Sequence, residues 1–257
     1  MKKNIEIIYQ DRDLVVCHKP AGIPVQTAKP GQQDMVSLLR NYFTEKGEEN
    51  QVFVVHRLDQ PVEGIMVFAR TKQAAADLSR QSREKSMNKC YLALTEGIFQ
   101  QTSGVLEDYL LRDGKTNTSC VVSRTAQGAK KARLSYETIE VWQPGQEHVE
   151  EPEEGWNSFK QAGRRIFSSH WESSRNAPMS LLLIILETGR HHQIRVQMAH
   201  AGHPLIGDKK YNPHCPNGYL PVALCSVKLA FSHPRSRKDM EFVSMRRDPR
   251  SGRSPCA

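Results

Sequence analysis

A short segment of the chain combines side chains that could perform acid–base or nucleophilic chemistry. His56, Arg57 and Asp59 are close neighbours in the sequence, and Pro61 and Gly64 follow them. A carboxylate can act as a nucleophile or as a base, and a nearby guanidinium favours its ionised form. Alone, the segment is a weak indication, because an aspartate at the end of a strand more often serves as a turn or capping residue.

The sequence on either side predicts a scaffold that would hold these side chains. Residues 52–55 and 65–69 are apolar runs rich in β-branched and aromatic residues, which is typical of buried strands. Pro61 lacks a backbone donor and Gly64 tolerates a positive φ, so residues 59–64 are predicted to form a loop. A carboxylate is thus expected where a strand leaves a sheet, a common position for functional residues.

The rest of the chain alternates between strand-like and helix-like patterns. Asp34 is a candidate N-cap, and Ala75, Ala76 and Leu78 are expected on the buried side of the second helix. The patterns predict strands at 5–9, 14–17, 23–25, 89–96, 134–142, 181–188 and 220–231, a hairpin across 110–122, and helices at 35–46, 72–86 and 192–201.

Two segments differ from the rest in composition. Residues 144–178 are polar and rich in Gly, Ser and Glu, so we expect a long surface insertion that is partly disordered. From residue 246 onward the chain is basic and contains Gly, Ser and Pro, which predicts a flexible tail over 246–257. The interpretation is one domain over 1–245 followed by this tail.

The overall composition favours a protein with a polyanionic partner. The chain has 257 residues and a formal net charge of +8, with a pI near 9.2. Such a surplus of basic residues is typical of nucleic-acid-binding proteins, although it also fits an ordinary basic surface. The six cysteines contain no CxxC pair, and neither a leader nor a membrane span is recognisable. We therefore expect a cytoplasmic monomer without membrane association.

Four stretches resemble the RluA-type RNA pseudouridine synthase family. They read LVVCHKPAGIPV, HRLDQPVEGIMVFAR, KCYLA and GRHHQIRVQMAHAGHPLIGDKKY, and they occur in the family's order. The resemblance implies an isomerase that converts uridine in RNA to pseudouridine and uses no cofactor. It also implies the α+β pseudouridine synthase fold, with a mixed, mostly antiparallel central sheet flanked by helices and loops. Some relatives carry an N-terminal S4 domain, for which this chain offers no room.

The resemblance also assigns roles to individual residues. Asp59 would be the essential catalytic carboxylate, with Arg195 as its basic partner and Tyr91 packing against the base and assisting proton transfer at C5. Arg57 would help to displace and hold the flipped nucleotide. Lys19, Lys89 and Arg190 are candidate phosphate contacts, although solvated surface charge explains those three almost as well.

Several alternatives stay open at this stage. The family usually has Thr-Ser where this chain has Val62-Glu63, which puts the hydrogen bonding behind the carboxylate in doubt. A metal site could be built from a histidine-rich region, yet the spacing of its members is poor for ligation. The main rival is an RNA-binding or chaperone protein on a synthase scaffold with little turnover. The expected substrate is a structured stem-loop, with ribosomal RNA favoured and transfer RNA as the alternative. The histidine-rich region contains His191, His192, His200, His203, Asp208, His214 and Cys215.

Overall fold

One large sheet organises the molecule. The computed structural model describes residues 5–145, 157–174, 176–215 and 220–244, and these ranges form an eleven-stranded sheet and five helices. The strands are β1 (Glu6–Gln10), β2 (Leu14–Lys19), β3 (Phe53–Val54), β4 (Glu63–Ala69), β5 (Asn88–Glu96), β6 (Ser103–Asp113), β7 (Thr118–Val121), β8 (Lys130–Trp142), β9 (Met179–Leu186), β10 (Leu224–Ser232) and β11 (Asp239–Val243). The helices are α1 (Met35–Glu45), α2 (Lys72–Arg83), α3 (Asn157–Ile166), α4 (Ser168–Ser174) and α5 (Gln193–His200).

The strand order confirms the expected mixed, mostly antiparallel sheet. The main path runs β1-β2-β4-β10-β5-β9-β8-β6-β7, with β11 paired to β10 and β3 paired to β4. Within the described ranges the β4–β10 pair is parallel and all other strand pairs are antiparallel. The α+β class predicted from the family resemblance is therefore correct.

Alternation along the strands divides the core between the two faces of the sheet. Neighbouring residues of a strand point to opposite faces, and on β5 Tyr91 joins the cluster that contains α1 and α5. Leu92, one position later, joins the cluster beneath α3, and a third cluster lies beneath α2. Both faces are thus covered, which explains why the central strands are apolar almost throughout.

Gly64 is required at the parallel contact between β4 and β10. Gly64 faces Ser226 of β10, and Ser226 in turn faces Tyr91 of β5. The φ of Gly64 is +129°, and a Cβ there would lie 2.3 Å from the carbonyl oxygen of Ser226. The expected loop ends near this glycine, although β4 already begins at Glu63. We call the segment between β3 and β4 the Asp59 loop. The pairing of Gly64 with Ser226, and of Ser226 with Tyr91, fixes the end of this loop against the centre of the sheet.

The expected surface insertion over 144–178 contains part of the core. Residues in α3 and in the turn after it, namely Ala162, Ile166 and Phe167, are buried against the sheet. The prediction of a surface insertion is therefore wrong for residues 157–174, where a short amphipathic helix with few apolar residues was hidden in polar sequence. Residues 146–156 and the predicted tail at 246–257 lie outside the described ranges.

Smaller differences concern element boundaries. Residues 23–25 do not form a strand, although Ile23 and Val25 are buried beneath α1. The second helix ends at Arg83, and it buries Ala74 while Ala76 is exposed. The short strand β11 was not anticipated. Asp34 caps α1 as expected, because its side chain accepts from the Ser37 amide.

None of the helices in the described ranges has the length and apolar character needed to cross a membrane.

Candidate active site

The three residues proposed for catalysis come together at one cleft from three different elements. Asp59 lies in the loop between β3 and β4, Tyr91 on β5, and Arg195 on α5. The cleft is lined by Arg57, Leu58, Asp59, Val62, Tyr91, Leu186, Gly189, Arg190, His192, Gln193, Ile194, Arg195 and Leu224. Residues that are far apart in the sequence therefore face one small space.

Arg195 is held rigidly and directs one nitrogen at Asp59. Its Nε and Nη2 donate to the two oxygens of Asp208 at 2.7 and 2.6 Å, and its Nη1 lies 3.4 Å from Asp59 Oδ2. The side chains of Arg195 and Asp208 are 3% and 0% exposed. A bidentate carboxylate fixes a planar guanidinium in both position and orientation. Asp208 thus balances most of the buried charge, and the third nitrogen remains for Asp59.

The helix that carries Arg195 is itself buried and is anchored through Gln193. Residues 193–198 are all buried. The Gln193 side chain accepts from the backbone amide of Arg190 at 3.0 Å and from the Thr188 hydroxyl at 2.8 Å, and it donates to the Arg133 carbonyl at 3.1 Å. These bonds fix the turn between β9 and α5 to strand β8. The position of Arg195 is therefore set by the sheet.

Asp59 differs from expectation in its electrostatics. Burial raises the pKa of Asp59 above its ordinary value, and the Arg195 guanidinium opposes this shift without cancelling it. A neighbouring guanidinium by itself predicts a lowered pKa, so burial reverses the expected direction. Arg195 Nη1 and His192 Nε2 both approach Oδ2, at 3.4 and 3.7 Å. Within the described residues Oδ1 accepts no hydrogen bond, so it is the oxygen available to a substrate.

Tyr91 supplies a neutral phenol at the cleft. It is 4% exposed, and burial, followed by the negative charge of Asp59, raises the pKa of its hydroxyl. An aromatic ring in this position can pack against a planar base, and a neutral phenol can donate a hydrogen bond. The ring also belongs to the hydrophobic core, so Tyr91 combines a structural and a chemical position.

His192 is a cleft residue whose role the sequence did not reveal. Its φ is +54°, an uncommon conformation for a residue other than glycine. Its Nδ1 lies 2.7 Å from the Tyr211 hydroxyl, which accepts from the Ser119 amide at 2.8 Å. A Tyr211 hydroxyl that donates to Nδ1 would place the proton of a neutral imidazole on Nε2, the nitrogen 3.7 Å from Asp59 Oδ2.

The neutral state of this imidazole follows from its surroundings. Burial, followed by the positive charge of Arg195, lowers the pKa of His192 to about 3. The stacked neighbour His191 has its pKa lowered to about 4 by burial and by the charges around it. Asp208 and Tyr211 both lie in the GDKKY part of the family-like motif, three positions apart. That spacing is the signal in the sequence that would have suggested a joint role.

Two of the four predicted RNA contacts lie exposed at the cleft. Arg57 and Arg190 are both exposed and line it, and Arg190 Nε donates to the Lys131 carbonyl at 2.8 Å. Lys89 is 9% exposed and lines a neighbouring cleft together with Arg190. Its position is compatible with a buried phosphate contact but not with ordinary surface charge.

The buried position of Lys19 contradicts the prediction that this residue contacts an RNA phosphate. It is fully buried, and its ammonium donates to the carbonyls of Pro20, Ile23 and Gln60 at 3.0, 2.7 and 3.1 Å. Burial lowers the pKa of Lys19 to about 8, against the opposing charges of Asp59 and Glu63. Lys19 therefore ties the loop after β2 to the loop that carries Asp59. The sequence could not separate these roles, because a basic residue beside Pro-Ala-Gly resembles a surface turn.

The departure at Val62-Glu63 leaves the Asp59 loop closed. The Val62 amide donates to the Asp59 carbonyl at 3.0 Å, and the Val62 side chain is 2% exposed and lines the cleft. Glu63 begins β4 and faces Cys225 in the parallel pair. The loop is thus held by backbone bonds that do not depend on hydroxyl side chains at these two positions.

The histidine-rich region is occupied by hydrogen bonds within the protein. Ser119 Oγ lies 2.9 Å from His191 Nδ1, and His203 Nδ1 lies 3.0 Å from the Glu96 carbonyl. In the part of the chain that the structure describes, the one group with ligand atoms close together is elsewhere, at Asp11, Asp13 and His233. Arg235 donates to both oxygens of Asp13 there, so that group is an ion-pair network.

Known proteins that are similar to this chain carry the name of an RNA pseudouridine synthase or of its domain. The family model described as RNA pseudouridylate synthase matches residues 13–200. YlyB of Bacillus subtilis, described as an uncharacterized RNA pseudouridine synthase, is 29% identical over 93% of this chain and 68% of its own length. The tRNA pseudouridine synthase C of Haemophilus influenzae is 28% identical over 93% of this chain and 92% of its own length. The ribosomal large subunit pseudouridine synthase D of Neisseria meningitidis serogroup B is 30% identical over 93% and 57%.

Solved structures support the fold. Human RNA pseudouridylate synthase domain containing 1 superposes with a TM-score of 0.69 at 22% identity, covering 97% of this chain and 85% of that one. Human RNA pseudouridylate synthase domain containing 4 gives a TM-score of 0.66 at 20% identity, covering 93% of this chain and 87% of that one.

The family model matches most of the chain, residues 13–200, and this range contains Asp59, Tyr91 and Arg195. Because the match extends over most of the chain, the chain belongs to the RNA pseudouridylate synthase family of isomerases that convert uridine in RNA to pseudouridine.

Proposed function

We propose that Asp59 is the catalytic carboxylate of an RNA pseudouridine synthase, that Arg195 is its electrostatic partner and that Tyr91 is the base-packing and proton-transfer residue. Breaking the glycosidic bond of uridine develops positive character at C1′ of the ribose, which a carboxylate can stabilise as a nucleophile or relieve as a base on the sugar. The detached uracil turns over and rejoins C1′ through C5, and the proton on C5 then leaves.

The observation that carries this proposal is the directed pair of Asp59 and Arg195. Arg195 is clamped by Asp208 and approaches Oδ2 of Asp59 at 3.4 Å, while Oδ1 of Asp59, which lines the cleft, accepts no hydrogen bond from the described residues. Tyr91 lines the same cleft. An oriented carboxylate with one free oxygen beside an aromatic ring suits attack at a sugar carbon while the base packs alongside.

The proposed substrate is a structured RNA from which the target uridine is extruded. Arg57 and Arg190 are exposed at the cleft, and the chain carries a net charge of +8. We favour ribosomal RNA, with transfer RNA as the alternative. Relatives named for each of these two substrates are similar over most of this chain. The chain spans between 57% and 92% of the length of the relatives compared above. The longer relatives therefore contain segments that have no counterpart in this chain, and the choice of substrate remains part of the proposal.

The remaining features of the proposal concern the molecule as a unit. We propose a single catalytic domain over residues 1–245, because every strand in the described ranges belongs to one sheet. We also propose that it acts as a monomer in the cytoplasm, since Asp59, Tyr91 and Arg195 reach one cleft from elements of the same chain and the described cysteines form no disulfide.

The test is release of tritium from RNA labelled at C5 of uridine, with ribosomal and transfer RNA supplied separately. Asp59→Asn removes the charge while keeping the shape of the side chain. We expect the wild type to release tritium from one pool and the variant to fall by at least about 10³-fold. RNA affinity should stay within about twofold, and thermal stability should not decrease, because burying a neutral amide is less costly than burying a carboxylate.

The rival function predicts a different outcome in the same assay. A protein that only binds or chaperones RNA would bind both pools and release no tritium. Turnover that survived Asp59→Asn at the wild-type rate would instead leave the enzyme in place and remove the role proposed for Asp59.

A further inference from the structure

A second cleft adjoins the active cleft and is lined by basic and hydroxyl side chains. We call it the α2 cleft. It has a volume of about 450 Å³ and is lined by Val55, Ser79, Ser82, Arg83, Lys85, Met87, Lys89, Leu186, Glu187, Thr188, Gly189 and Arg190. Leu186, Gly189 and Arg190 line the active cleft as well. The two clefts therefore adjoin at the turn between β9 and α5.

A buried positive charge without a balancing carboxylate lies in the α2 cleft. Lys89 is 9% exposed, and its Nζ lies 3.4 Å from the Ser82 hydroxyl. None of the carboxylates that the structure describes forms an ion pair with it. Glu187, the one acidic residue of the lining, lies 3.3 Å from Arg133. Burying an unpaired ammonium is costly, so this arrangement is explained most simply by an anion that arrives from outside.

The surroundings of Lys89 add to the imbalance. Arg83, Lys85 and Arg190 line the same cleft and are exposed. His56 is a neutral neighbour, because burial and then the charge of Lys89 lower its pKa to about 3. Burial also lowers the pKa of Lys89 itself, and a bound anion would reverse that shift. The site therefore offers several cations and two serine hydroxyls for one ligand.

We propose that the α2 cleft binds a backbone phosphodiester of the RNA strand, next to the uridine held in the active cleft, with Lys89 and Ser82 as its central contacts. This inference rests on the proposed function, because it takes the ligand to be the RNA substrate. Extruding a nucleotide bends the strand and leaves its neighbouring phosphates at the rim of the pocket. Arg190 lines both clefts and can contact the phosphodiester linkage of a strand that passes from one cleft to the other. The lining lacks aromatic residues, which favours a phosphate over a stacked base.

The first test compares the salt dependence of RNA binding in two charge-removing variants. The probe is an RNA stem-loop with a uridine in its loop, and binding is followed by fluorescence anisotropy at several salt concentrations. Lys89→Met keeps the buried aliphatic stem, and Lys46→Met removes an exposed charge at the C-cap of α1, outside both clefts. Loss of one phosphate contact should make the slope of log K against log salt less negative by roughly 0.7 to 0.9. We expect this change in Lys89→Met and a much smaller one in Lys46→Met.

The second test identifies the phosphate. Methylphosphonates neutralise one linkage of the stem-loop at a time. At one linkage beside the uridine, neutralisation should weaken binding to the wild type about as much as Lys89→Met does, and should add nothing in the variant. Equal slopes in Lys89→Met and wild type, or additive losses at every linkage, would overturn the proposal. Arg83→Gln provides an exposed second variant in case Lys89→Met fails to fold.

Both readouts measure binding, so they do not depend on turnover. A salt slope altered by Lys89→Met together with absent tritium release would reject the catalytic proposal and keep the phosphate site. Tritium release with an unaltered slope would do the reverse.

Discussion

At the scale of single residues, the chemistry depends on how Asp59 is surrounded. Burial raises its pKa, and the groups around it act in both directions: Arg195 and His191 lower the pKa, and Asp208 raises it. A catalytic group with a perturbed pKa in a cleft is typical of active sites. Arg195 also pairs with Asp208, so its positive charge is already partly compensated and does not offset the effect of burial on the pKa of Asp59.

This arrangement predicts the acid limb of the pH–rate profile. In the proposed mechanism turnover requires the ionised carboxylate, and a raised pKa means that protonation begins at a higher pH than for an ordinary aspartate. We expect the single-turnover rate to fall on acidification with a midpoint above the usual aspartate value of about 3.9. Tritium release under single-turnover conditions from pH 4 to 8 measures it.

The control for that profile is RNA binding by Asp59→Asn over the same pH range. Binding by the variant should not follow the acid limb, because the titrating carboxylate is absent. A limb at or below the ordinary aspartate value would mean that Arg195 outweighs burial.

At the scale of elements, the site is set by where strands meet. The Asp59 loop is fixed at one end by Lys19, which bonds to the Gln60 carbonyl at 3.1 Å, and at the other by Gly64 in the parallel pair with β10. Tyr91 faces the same residue of β10, Ser226, from the opposite side. The loop and the aromatic ring are therefore positioned by one strand.

Gly64→Ala should disrupt this junction. The new Cβ would lie 2.3 Å from the Ser226 carbonyl oxygen, on a backbone with φ of +129°, so both a clash and strain arise. We expect the free energy of unfolding to fall by at least about 2 kcal/mol in urea titrations, with loss of tritium release.

Gly114→Ala serves as the matched control, because a Cβ at Gly114 meets nothing within 4 Å. Its effect on the free energy of unfolding should stay within about 0.5 kcal/mol. A Gly64→Ala protein as stable as this control would show that the junction tolerates a side chain.

At the scale of the whole molecule, the sheet divides the protein into a catalytic face and a supporting face. The clusters with α1 and α5 form the face with Asp59 and Tyr91. Helix α3 and Phe167 cover the other side of the central strands. The supporting face contributes stability to the strands on which the site is built, without contacting the cleft.

Phe167→Ala tests that division. Phe167 is 2% exposed, and removing a buried phenyl ring typically lowers the free energy of unfolding by about 3–5 kcal/mol. We expect a loss of that size in chemical denaturation and a turnover per folded molecule within about threefold of wild type at low temperature.

Val105→Ala is the comparison, since Val105 is 50% exposed and should change stability little. A large loss of turnover in folded Phe167→Ala would mean that the supporting face also shapes the cleft.

The sequence by itself determined the local features of this protein. Strands flank the Asp59 loop, Asp34 caps α1, and the family-like motifs predict the α+β fold. The motifs also select Asp59, Tyr91 and Arg195, which line one cleft, because each of these signals is contained in a short stretch of chain. Tertiary structure decided the rest. The burial of Lys19 and Lys89, the clamp of Asp208 on Arg195 and the approach of His192 to Asp59 depend on contacts between segments distant in sequence. Burial and long-range pairing set the charge and protonation of a side chain, and neither is encoded in its neighbours along the chain.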